Sequence, residues 1–184
     1  MRIIAGKYKG FKLYCPKGRD IRPTTDRIKE DIFNIISAHI EGANFLDLFC
    51  GSGAIGIEAL SRGARKVTLV EKSSIAISAV KKNTEKIKDK DNIAIVRSEA
   101  EKFLIETDDK YDIIFFDPPY SYPDAGKIIR TIYKRNLLCP GGIIIAEQGK
   151  NVLPDINTEG FAIYKIKKYS STAIYFYQYD IKEQ

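Results

Sequence analysis

The residues best suited to chemistry cluster after an apolar segment near position 50. Cys50 is followed by Gly51-Ser52-Gly53-Ala54-Ile55-Gly56, a G-x-G-x-x-G pattern that leads into a stretch of helical periodicity. Glycine permits a tight turn and lets a ligand approach the backbone closely. Glu71 ends the next apolar segment, where a carboxylate can accept both hydroxyl groups of a ribose. The pattern therefore predicts a site for a ligand that contains a nucleoside.

The acidic residue in front of the glycines bears on which ligand this is. Asp47 lies four residues before Gly51. A carboxylate aimed at this loop would repel the pyrophosphate of NAD, which otherwise suits a helix N-terminus. The same carboxylate would attract the ammonium and sulfonium groups of S-adenosylmethionine. Asp47 thus favours S-adenosylmethionine, although the glycine pattern alone leaves NAD open.

A second motif, Asp117-Pro118-Pro119-Tyr120, follows the apolar run at 113–116. Two prolines end the strand and stiffen the backbone, which fixes the Asp117 carboxylate and the Pro118 carbonyl as hydrogen-bond acceptors. Tyr120 adds a flat ring on which a base can stack. Two acceptors beside a ring suit the exocyclic amine of a nucleobase taken out of its stack. An aromatic amine is a poor nucleophile, and holding both N–H bonds would aim its lone pair at a methyl donor.

The elements that must position these motifs alternate along the chain. Strand patterns at 45–49, 66–71, 93–97, 111–117 and 143–147 alternate with helical patterns at 54–61, 73–87, 99–106 and 124–135. Such alternation predicts an α/β fold with a mostly parallel, Rossmann-like sheet and helices on both faces. Segments 161–169 and 172–179 predict a C-terminal antiparallel hairpin at one edge. Segments 2–4 and 11–14 predict a small N-terminal β-hairpin, followed by a helix over 25–40 capped by Thr24 or Thr25.

Length and charge suggest how the chain is organised. The 184 residues suit one domain with a small appendage, and we place the appendage at 1–23 and the domain at 24–184. Residues 1–29 hold nine basic and two acidic residues and carry +7, while the remaining residues carry −1, so essentially all of the excess charge of +6 lies in the first 29 residues. Concentrated positive charge attracts phosphate backbones. Charge alone leaves open whether this region binds nucleic acid or is a solvated basic face.

Several classes of protein fit the sequence poorly. Three cysteines and one histidine, His39, provide neither a zinc-ligand spacing nor a Ser-His-Asp triad, so we expect no metal. Nothing near Cys50 would activate it as a nucleophile, and a packed small side chain is the better interpretation. No apolar run is long enough to cross a bilayer, and the first residues do not resemble a secretory signal. A reducing cytoplasm fits best.

Taken together, the motifs resemble the RsmD family of class I S-adenosylmethionine-dependent enzymes, which methylate the N2 amine of guanine in 16S ribosomal RNA. The resemblance extends over nearly the whole chain. Its most specific part is the segment Arg22-Pro23-Thr24-Thr25-Asp26-Arg27 together with the basic N-terminal hairpin. The glycine loop and the Asp117-Pro118-Pro119-Tyr120 motif are shared more widely among amino-methyltransferases.

The resemblance implies three sets of site residues. The catalytic set would handle the guanine and comprises Asp117, Pro118 and Tyr120. The cofactor set would bind S-adenosylmethionine and comprises Asp47, Phe49, Gly51, Gly53, Glu71, Lys72, Ser98, Glu99, Ala100 and Asp117. The RNA set comprises Arg2, Lys7, Lys9, Lys12, Arg22, Thr24, Thr25 and Arg27. Glu99 would either hydrogen-bond the adenine or merely begin its helix.

The implied substrate is 16S ribosomal RNA or a partly assembled small ribosomal subunit, with the protein acting as a monomer. An adenine-N6 methyltransferase acting on DNA or RNA is the nearest alternative, because the same acceptor loop serves either amine. An NAD-dependent oxidoreductase would explain the glycine loop but offers little other catalytic equipment. A non-catalytic RNA-binding module would explain the basic N-terminus but would leave the Asp-Pro-Pro-Tyr motif without a purpose.

Overall fold

A computed structural model describes residues 1–16, 25–119, 122, 124–149 and 160–180. The predicted site residues Arg22, Thr24 and Tyr120 lie outside the described residues.

One mixed sheet forms the centre of the described part of the chain. Its seven strands follow the spatial order β3-β2-β1-β4-β5-β7-β6, and the first five are parallel to one another. β7 runs antiparallel to β5, and β6 runs antiparallel to β7 at the outer edge. The predicted C-terminal hairpin on a parallel sheet is therefore confirmed. The strands are β1 Asn44–Leu48, β2 Lys66–Glu71, β3 Ile93–Arg97, β4 Tyr111–Phe116, β5 Leu138–Gly149, β6 Phe161–Lys168 and β7 Thr172–Tyr179.

Helices connect the strands and cover both faces of the sheet. They are α1 Asp26–Ile35, α2 Ser37–Ile40, α3 Ala54–Ser61, α4 Ser74–Thr84, α5 Ala100–Glu106 and α6 Ala125–Lys134, with a 3₁₀ turn at Lys90–Asn92. Within the described residues, no helix is long and apolar enough to span a membrane.

The single helix predicted over 25–40 is divided in two. Ile36 leaves the helical conformation, with φ −94° and ψ 11°, and separates α1 from α2. Buried residues at 28, 32, 36 and 40 keep the same spacing through the break, so the apolar period could not reveal it. Thr25 caps α1, as one of the two predicted candidates, by accepting the Ile28 N–H at 3.3 Å.

The strand predicted at 143–147 is longer than expected. β5 begins at Leu138 and includes Pro140-Gly141-Gly142, which lie before the start of the predicted strand. Leu138 already pairs with Tyr111 of β4, and a register shift follows before the regular pairing resumes at Ile143. Proline and glycine produce an irregularity within the strand here, since β5 is paired with β4 both before it, at Leu138, and after it, from Ile143.

The sheet is apolar on both faces because it separates two layers of helix. Along β4, Ile113 and Phe115 belong to one buried cluster, whereas Ile114 and Phe116 belong to the other. All four side chains are at most 2% exposed. Continuous apolar runs are what a parallel strand covered on both sides requires.

The N-terminal hairpin is docked onto the same core. The segments predicted as strands pair at a single antiparallel bridge between Arg2 and Lys12. Ile3 and Leu13 are buried among residues of α1 and α3, at 0% and 6% exposure. Residues 1–16 thus share a core with the sheet, and a separate appendage ending at residue 23 remains a prediction.

A buried charged group holds this hairpin in place. The Glu58 carboxylate on α3 is fully buried and accepts the backbone N–H groups of Ile4 at 2.8 Å and Ala5 at 3.0 Å. The Lys29 ammonium on α1 is also buried, donates to the Arg2 carbonyl at 2.5 Å and lies 3.8 Å from Glu58. Burial lowers the pKa of Lys29, against the opposing charge of Glu58. The hairpin, α1 and α3 are therefore joined through a buried charge pair, and Glu58 also accepts a hydrogen bond from Arg62 at 2.8 Å.

Candidate active site

The glycine loop lies where β1 ends and α3 begins, at the carboxyl edge of the sheet. Phe49 adopts φ 60° and Gly51 φ 54°, so the chain turns sharply through the left-handed region. A Cβ on Gly51 would meet no atom within 4 Å, which leaves the backbone open to a ligand. A Cβ on Gly56 would lie 2.3 Å from Leu69, so that glycine permits packing of α3 on β2. The first glycine of the pattern faces open space, and the last faces the core.

Asp47 lies beneath this loop in a nearly dry environment. Its side chain is 1% exposed, and its Oδ2 accepts the Gly56 N–H at 2.9 Å. Its Oδ1 has no hydrogen-bond partner within the described part of the chain. The pKa of Asp47 is raised to about 8, mainly by burial and in smaller part by the negative charge of Glu71, while the Gly56 hydrogen bond opposes the shift. A buried carboxyl with one unused oxygen is suited to a cationic ligand.

Glu71 lies at the end of β2, and its carboxylate accepts a hydrogen bond from the glycine loop. Its Oε2 accepts the Gly51 N–H at 3.1 Å, and its Oε1 accepts the Ser73 N–H at 2.9 Å. Each carboxylate oxygen can accept a further hydrogen bond, so both remain able to bind ribose hydroxyls. The side chain is half-buried and borders a cavity.

This cavity, of about 140 Å³, opens between the ends of β2 and β3. Six of its lining residues were predicted to bind the cofactor: Phe49, Glu71, Lys72, Ser98, Glu99 and Ala100. Glu99 occupies the N-cap position of α5 but makes no capping hydrogen bond with its side chain, which is exposed at the cavity. The tertiary structure thus brings together residues from three separate loops. Val70, Glu101 and Tyr122 also line it and were not predicted.

Tyr122 closes one side of the cavity through contacts that no local pattern revealed. Its ring meets Phe49 edge to face, with the centroids 5.2 Å apart. Its hydroxyl donates to Glu101 Oε1 at 2.6 Å, and Lys127 Nζ lies 2.5 Å from Glu101 Oε2. The Tyr122 N–H donates to the Pro119 carbonyl at 2.8 Å. The loop with the Asp-Pro-Pro motif is therefore tied to the cofactor side.

The Asp-Pro-Pro motif lies beside the glycine loop. β4 is the neighbour of β1, and Phe116 pairs with Leu48 in the last row of the two strands. Asp117 follows Phe116 directly, as Phe49 follows Leu48. Asp117 and Pro118 are half-buried. Two loops that are about 70 residues apart in sequence therefore emerge together at one sheet edge, as expected for parallel strands.

Asn83 connects the glycine loop to the N-terminal hairpin and was also missed by sequence reasoning. This α4 side chain is 3% exposed, and its Nδ2 donates to the carbonyls of Ser52 and Tyr14, each at 2.9 Å. Its Oδ1 accepts the Tyr14 N–H at 2.7 Å. In the sequence, an asparagine within a helical pattern indicates no more than a polar surface residue. Only the burial of Asn83 in the folded chain reveals that it connects the two segments.

Cysteine chemistry finds no support at this site. Cys50 is buried, and burial together with the charges of Asp47 and Glu71 raises the pKa of its thiol. A nucleophilic thiolate requires the opposite shift. Among the residues described by the structure, no group of three or more His, Cys, Asp or Glu side chains is arranged to hold a metal ion.

Among the described residues, the predicted RNA-binding set lies on the N-terminal hairpin, where Arg2 pairs with Lys12, and at the start of α1. Lys7 lies in the hairpin turn, where its N–H donates to the Ser61 carbonyl at the far end of α3. α3 has eight residues and is about 12 Å long, which separates Lys7 from the glycine loop. Lys7 also forms an ion pair with Asp89.

The remaining RNA residues that the structure describes are exposed. Arg2 lies 3.1 Å from Asp26 in an exposed ion pair. Lys9 and Lys12 are exposed on the hairpin, and Arg27 is exposed in the first turn of α1. RNA binding by these residues remains a prediction.

The order of the strands, with a glycine loop after β1 and a carboxylate after β2, defines a Rossmann-like methyltransferase fold. A family model described as "Conserved hypothetical protein 95" matches residues 1–178. The chain belongs to this family, which confirms the resemblance to the RsmD family seen in the motifs.

Named relatives and a solved structure agree with this assignment. The chain is 34% identical to ribosomal RNA small subunit methyltransferase D of Haemophilus influenzae over 97% of this chain and 93% of the relative. It is 36% identical to the protein of the same name from Escherichia coli K12, over 85% of this chain and 79% of the relative. The solved structure of the Escherichia coli protein yhhF covers 98% of both chains, with a TM-score of 0.88 and 34% identity.

Proposed function

We propose that this protein transfers a methyl group from S-adenosylmethionine to the exocyclic N2 amine of a guanine in 16S ribosomal RNA. The observation that carries the proposal is the position of Asp117 and Pro118 beside the glycine loop, at the ends of the paired strands β4 and β1. This arrangement supports a site in which acceptors for an amine lie next to a bound methyl donor. We expect the protein to act as a monomer in the cytoplasm.

The residues present fit S-adenosylmethionine better than NAD. Asp47 offers an unused buried carboxylate oxygen under the loop, and Glu71 adds a second acid beside it. An ionised Asp47 beside Glu71 would repel a pyrophosphate, whereas the ammonium and sulfonium charges of S-adenosylmethionine would favour its ionisation. Glu71 would hold the ribose, while Glu99 and Ala100 would border the adenine in the cavity. When bound, the cofactor supplies an electrophilic methyl group on a positively charged sulfur.

Asp117 and Pro118 would act on the amine that receives the methyl group. The Asp117 carboxylate and the Pro118 carbonyl would each accept one N–H of the amine, which localises its lone pair and aims it at the methyl carbon. The carboxylate would also hold the proton that the nitrogen loses. Tyr120 would stack on the guanine, as the motif predicts. Most of the rate enhancement would come from this positioning.

Ribosomal RNA as substrate is supported by the relatives, which bear the name ribosomal RNA small subunit methyltransferase D. The excess of positive charge in the first 29 residues supports a polyanionic partner. We extend the proposal to partly assembled small subunits, because a compact chain offers little surface with which to select one loop from naked RNA.

The test uses tritiated S-adenosylmethionine with two substrates from cells that lack this protein: naked 16S ribosomal RNA and partly assembled small subunits. The labelled nucleoside is identified by chromatography after digestion. Wild-type protein is compared with Asp117→Asn, which keeps the shape but removes the anionic acceptor. Asp91→Asn, at an exposed site before β3, is the matched control.

Label in N2-methylguanosine is the expected result, with a loss of at least about a hundredfold in kcat for Asp117→Asn and none for the control. S-adenosylmethionine should bind Asp117→Asn within about threefold of wild type. Label in N6-methyladenosine would keep the mechanism and overturn guanine as the substrate. Absence of label on both substrates, despite cofactor binding, would overturn ribosomal RNA as the substrate.

A further inference from the structure

The outer strand β6 carries a concentration of positive charge that the proposed function does not yet use. Lys165, Lys167 and Lys168 lie on this strand, and β6 has β7 as its neighbour on one side at the edge of the sheet. Lys165 and Lys168 are exposed, and Lys167 is half-buried. Among the described residues, none of the three side chains forms an ion pair or a hydrogen bond. Three positive charges thus remain available to an external partner.

The strand register places these lysines level with the candidate active site. One row of paired residues crosses the sheet from β4 to β6 and consists of Phe116, Ala146, Tyr175 and Ile166. One residue further towards the carboxyl edge, β4 continues into Asp117. In the paired row at that level, Glu147 of β5 faces Ile174 of β7, and Ile174 faces Lys167 of β6. Three strand spacings separate the two ends of the row, a distance of about 14 Å. A few nucleotides of single-stranded RNA can span that distance.

The turn after β6 is held firmly at the same carboxyl edge. The Tyr169 N–H donates to the Thr172 carbonyl at 2.8 Å, which closes the turn. The Tyr169 hydroxyl donates to Asp31 Oδ2 on α1, also at 2.8 Å. Burial and the Asp31 charge raise the pKa of Tyr169, so the hydroxyl keeps its proton as the donor. Arg27, one turn before Asp31, is exposed and acts electrostatically on Tyr169, which places a fourth positive charge near the turn.

An exposed aromatic ring accompanies the positive charges. Tyr164 on β6 is 44% exposed, and its ring lies 6.1 Å from Phe176 on β7, which supports it from below. A supported ring among lysines is the composition of surfaces that bind single-stranded nucleic acid, where bases stack and phosphates pair with cations. Lysines on an edge strand also discourage sheet-to-sheet association, and the experiment below separates the two roles.

We propose that Lys165, Lys167 and Lys168, here termed the basic strip, bind the phosphates of the RNA that flanks the target base, next to Arg27 of the RNA set already predicted. Tyr164 offers a stacking surface for one of the flanking bases. The inference rests on the proposed function for the identity of the RNA. It differs from the prediction for the N-terminal hairpin, because Lys7 is paired with Asp89 at the opposite edge of the sheet. The strip supplies affinity and orientation and takes no part in the methyl transfer itself.

The test compares two triple variants of equal charge. Lys165→Gln/Lys167→Gln/Lys168→Gln removes three charges from the strip. Lys81→Gln/Lys86→Gln/Lys90→Gln is the control and removes three exposed lysines, which form no ion pair among the described residues, at the other side of the sheet. Equilibrium binding to the small-subunit RNA is measured from 50 to about 300 mM salt without cofactor, and steady-state methyl transfer is measured in parallel.

The strip variant should raise Kd and KM for RNA by about tenfold and flatten the slope of log Kd against log salt by about 2, since each phosphate contact on a single strand contributes roughly 0.7. The kcat at saturating RNA and the Kd for S-adenosylmethionine should change by less than about twofold. The control variant should change none of these quantities. Lys165→Arg/Lys167→Arg/Lys168→Arg should restore both affinity and slope.

Equal Kd and slope for the strip variant and the control would overturn the inference. Self-association of the strip variant by sedimentation, with unchanged RNA affinity in its monomeric fraction, would also overturn it in favour of edge protection. Binding is measured without catalysis, so failure of the wild type to methylate ribosomal RNA would count against the proposed function alone. The proposal for the basic strip would then be tested by comparing the slope of log Kd against log salt between the strip variant and the control on the same RNA.

Discussion

Protonation of Asp47 should control how tightly the protein binds S-adenosylmethionine at different pH. Burial raises the pKa of this carboxyl to about 8, so the ligand-free protein holds it largely protonated at neutral pH. A cationic cofactor favours the ionised form. At pH 6 the protonated form exceeds the ionised one by about a hundredfold, and ionising it there costs roughly 3 kcal/mol. The apparent Kd should therefore fall by about tenfold per pH unit from 6 towards 8 and become constant above 8.

Isothermal titration calorimetry from pH 6 to 9 measures this directly. Titrations in buffers with different ionisation enthalpies should report the release of about one proton per cofactor bound below pH 8. Asp47→Asn keeps the hydrogen-bonding shape but cannot ionise. Its Kd for the cofactor should therefore exceed the wild-type value at pH 8.5, and it should lack the pH dependence that Asp47 gives to the wild type. The difference between wild type and this variant removes any contribution from the cofactor's own titrating groups.

The same titration has an opposite consequence for the folded protein without cofactor. The pKa of Asp47 is about 8 when folded, against a reference value of 3.8, so the folded state binds more protons between these limits. Its contribution to stability is therefore present at low pH and decreases as the pH rises from about 4 to 8. Thermal midpoints should fall more steeply over this range in wild type than in Asp47→Asn.

A wild-type Kd for the cofactor that varies less than about twofold between pH 6 and 8 would refute the reasoning.

Three further substitutions probe the contacts around the site. Tyr122→Phe keeps the ring but removes the hydroxyl that donates to Glu101, so the KM for the cofactor should rise about threefold to tenfold while the urea midpoint stays unchanged. Asn83→Asp replaces two buried donors with a charged acceptor and should lower the free energy of unfolding by about 3 kcal/mol in urea titrations. Glu58→Gln leaves Lys29 without its buried counter-charge and should cost about 3 to 5 kcal/mol by the same measurement.

Each of these variants has a matched control on the protein surface. They are Tyr133→Phe for the hydroxyl, Asn34→Asp for the amide and Glu106→Gln for the carboxylate, whose exposed partner is Lys102. Surface changes of this kind should alter the free energy of unfolding by less than about 0.5 kcal/mol. Equal effects from a buried variant and its control would contradict the role assigned to that buried contact.

Much of the fold could be predicted because periodicity and burial agree along most of the chain. The strands at 66–71, 93–97 and 172–179 and the helix at 54–61 begin and end where the patterns predicted. Each is bounded by a strong local signal or by a change in period. Prediction was weaker where a long-range neighbour decided the outcome. Pairing with β4 extended β5 back through Pro140, and docking onto α3 left the N-terminal hairpin with one bridge.

The same distinction between local and long-range signals separates the site residues that were predicted from those that were missed. Asp47, Gly51, Glu71 and Asp117 were identified because motif spacing and strand ends are local properties of the sequence. Their convergence follows from parallel strands, which bring all their carboxyl ends to one edge. Tyr122 and Asn83 carry no such local signature, since each acts through a partner at least 20 residues away.

By itself, the sequence determined the sheet, the glycine loop, the Asp-Pro-Pro motif and the family to which the chain belongs. The tertiary structure alone decided which charges are available to a partner. Lys7 and Lys167 are both lysines in strand-like or turn segments, yet one is paired with Asp89 and the other lies level with Asp117 without a partner in the described residues. Electrostatic pairing depends on distances between segments that are remote in sequence, and only the folded chain sets those distances.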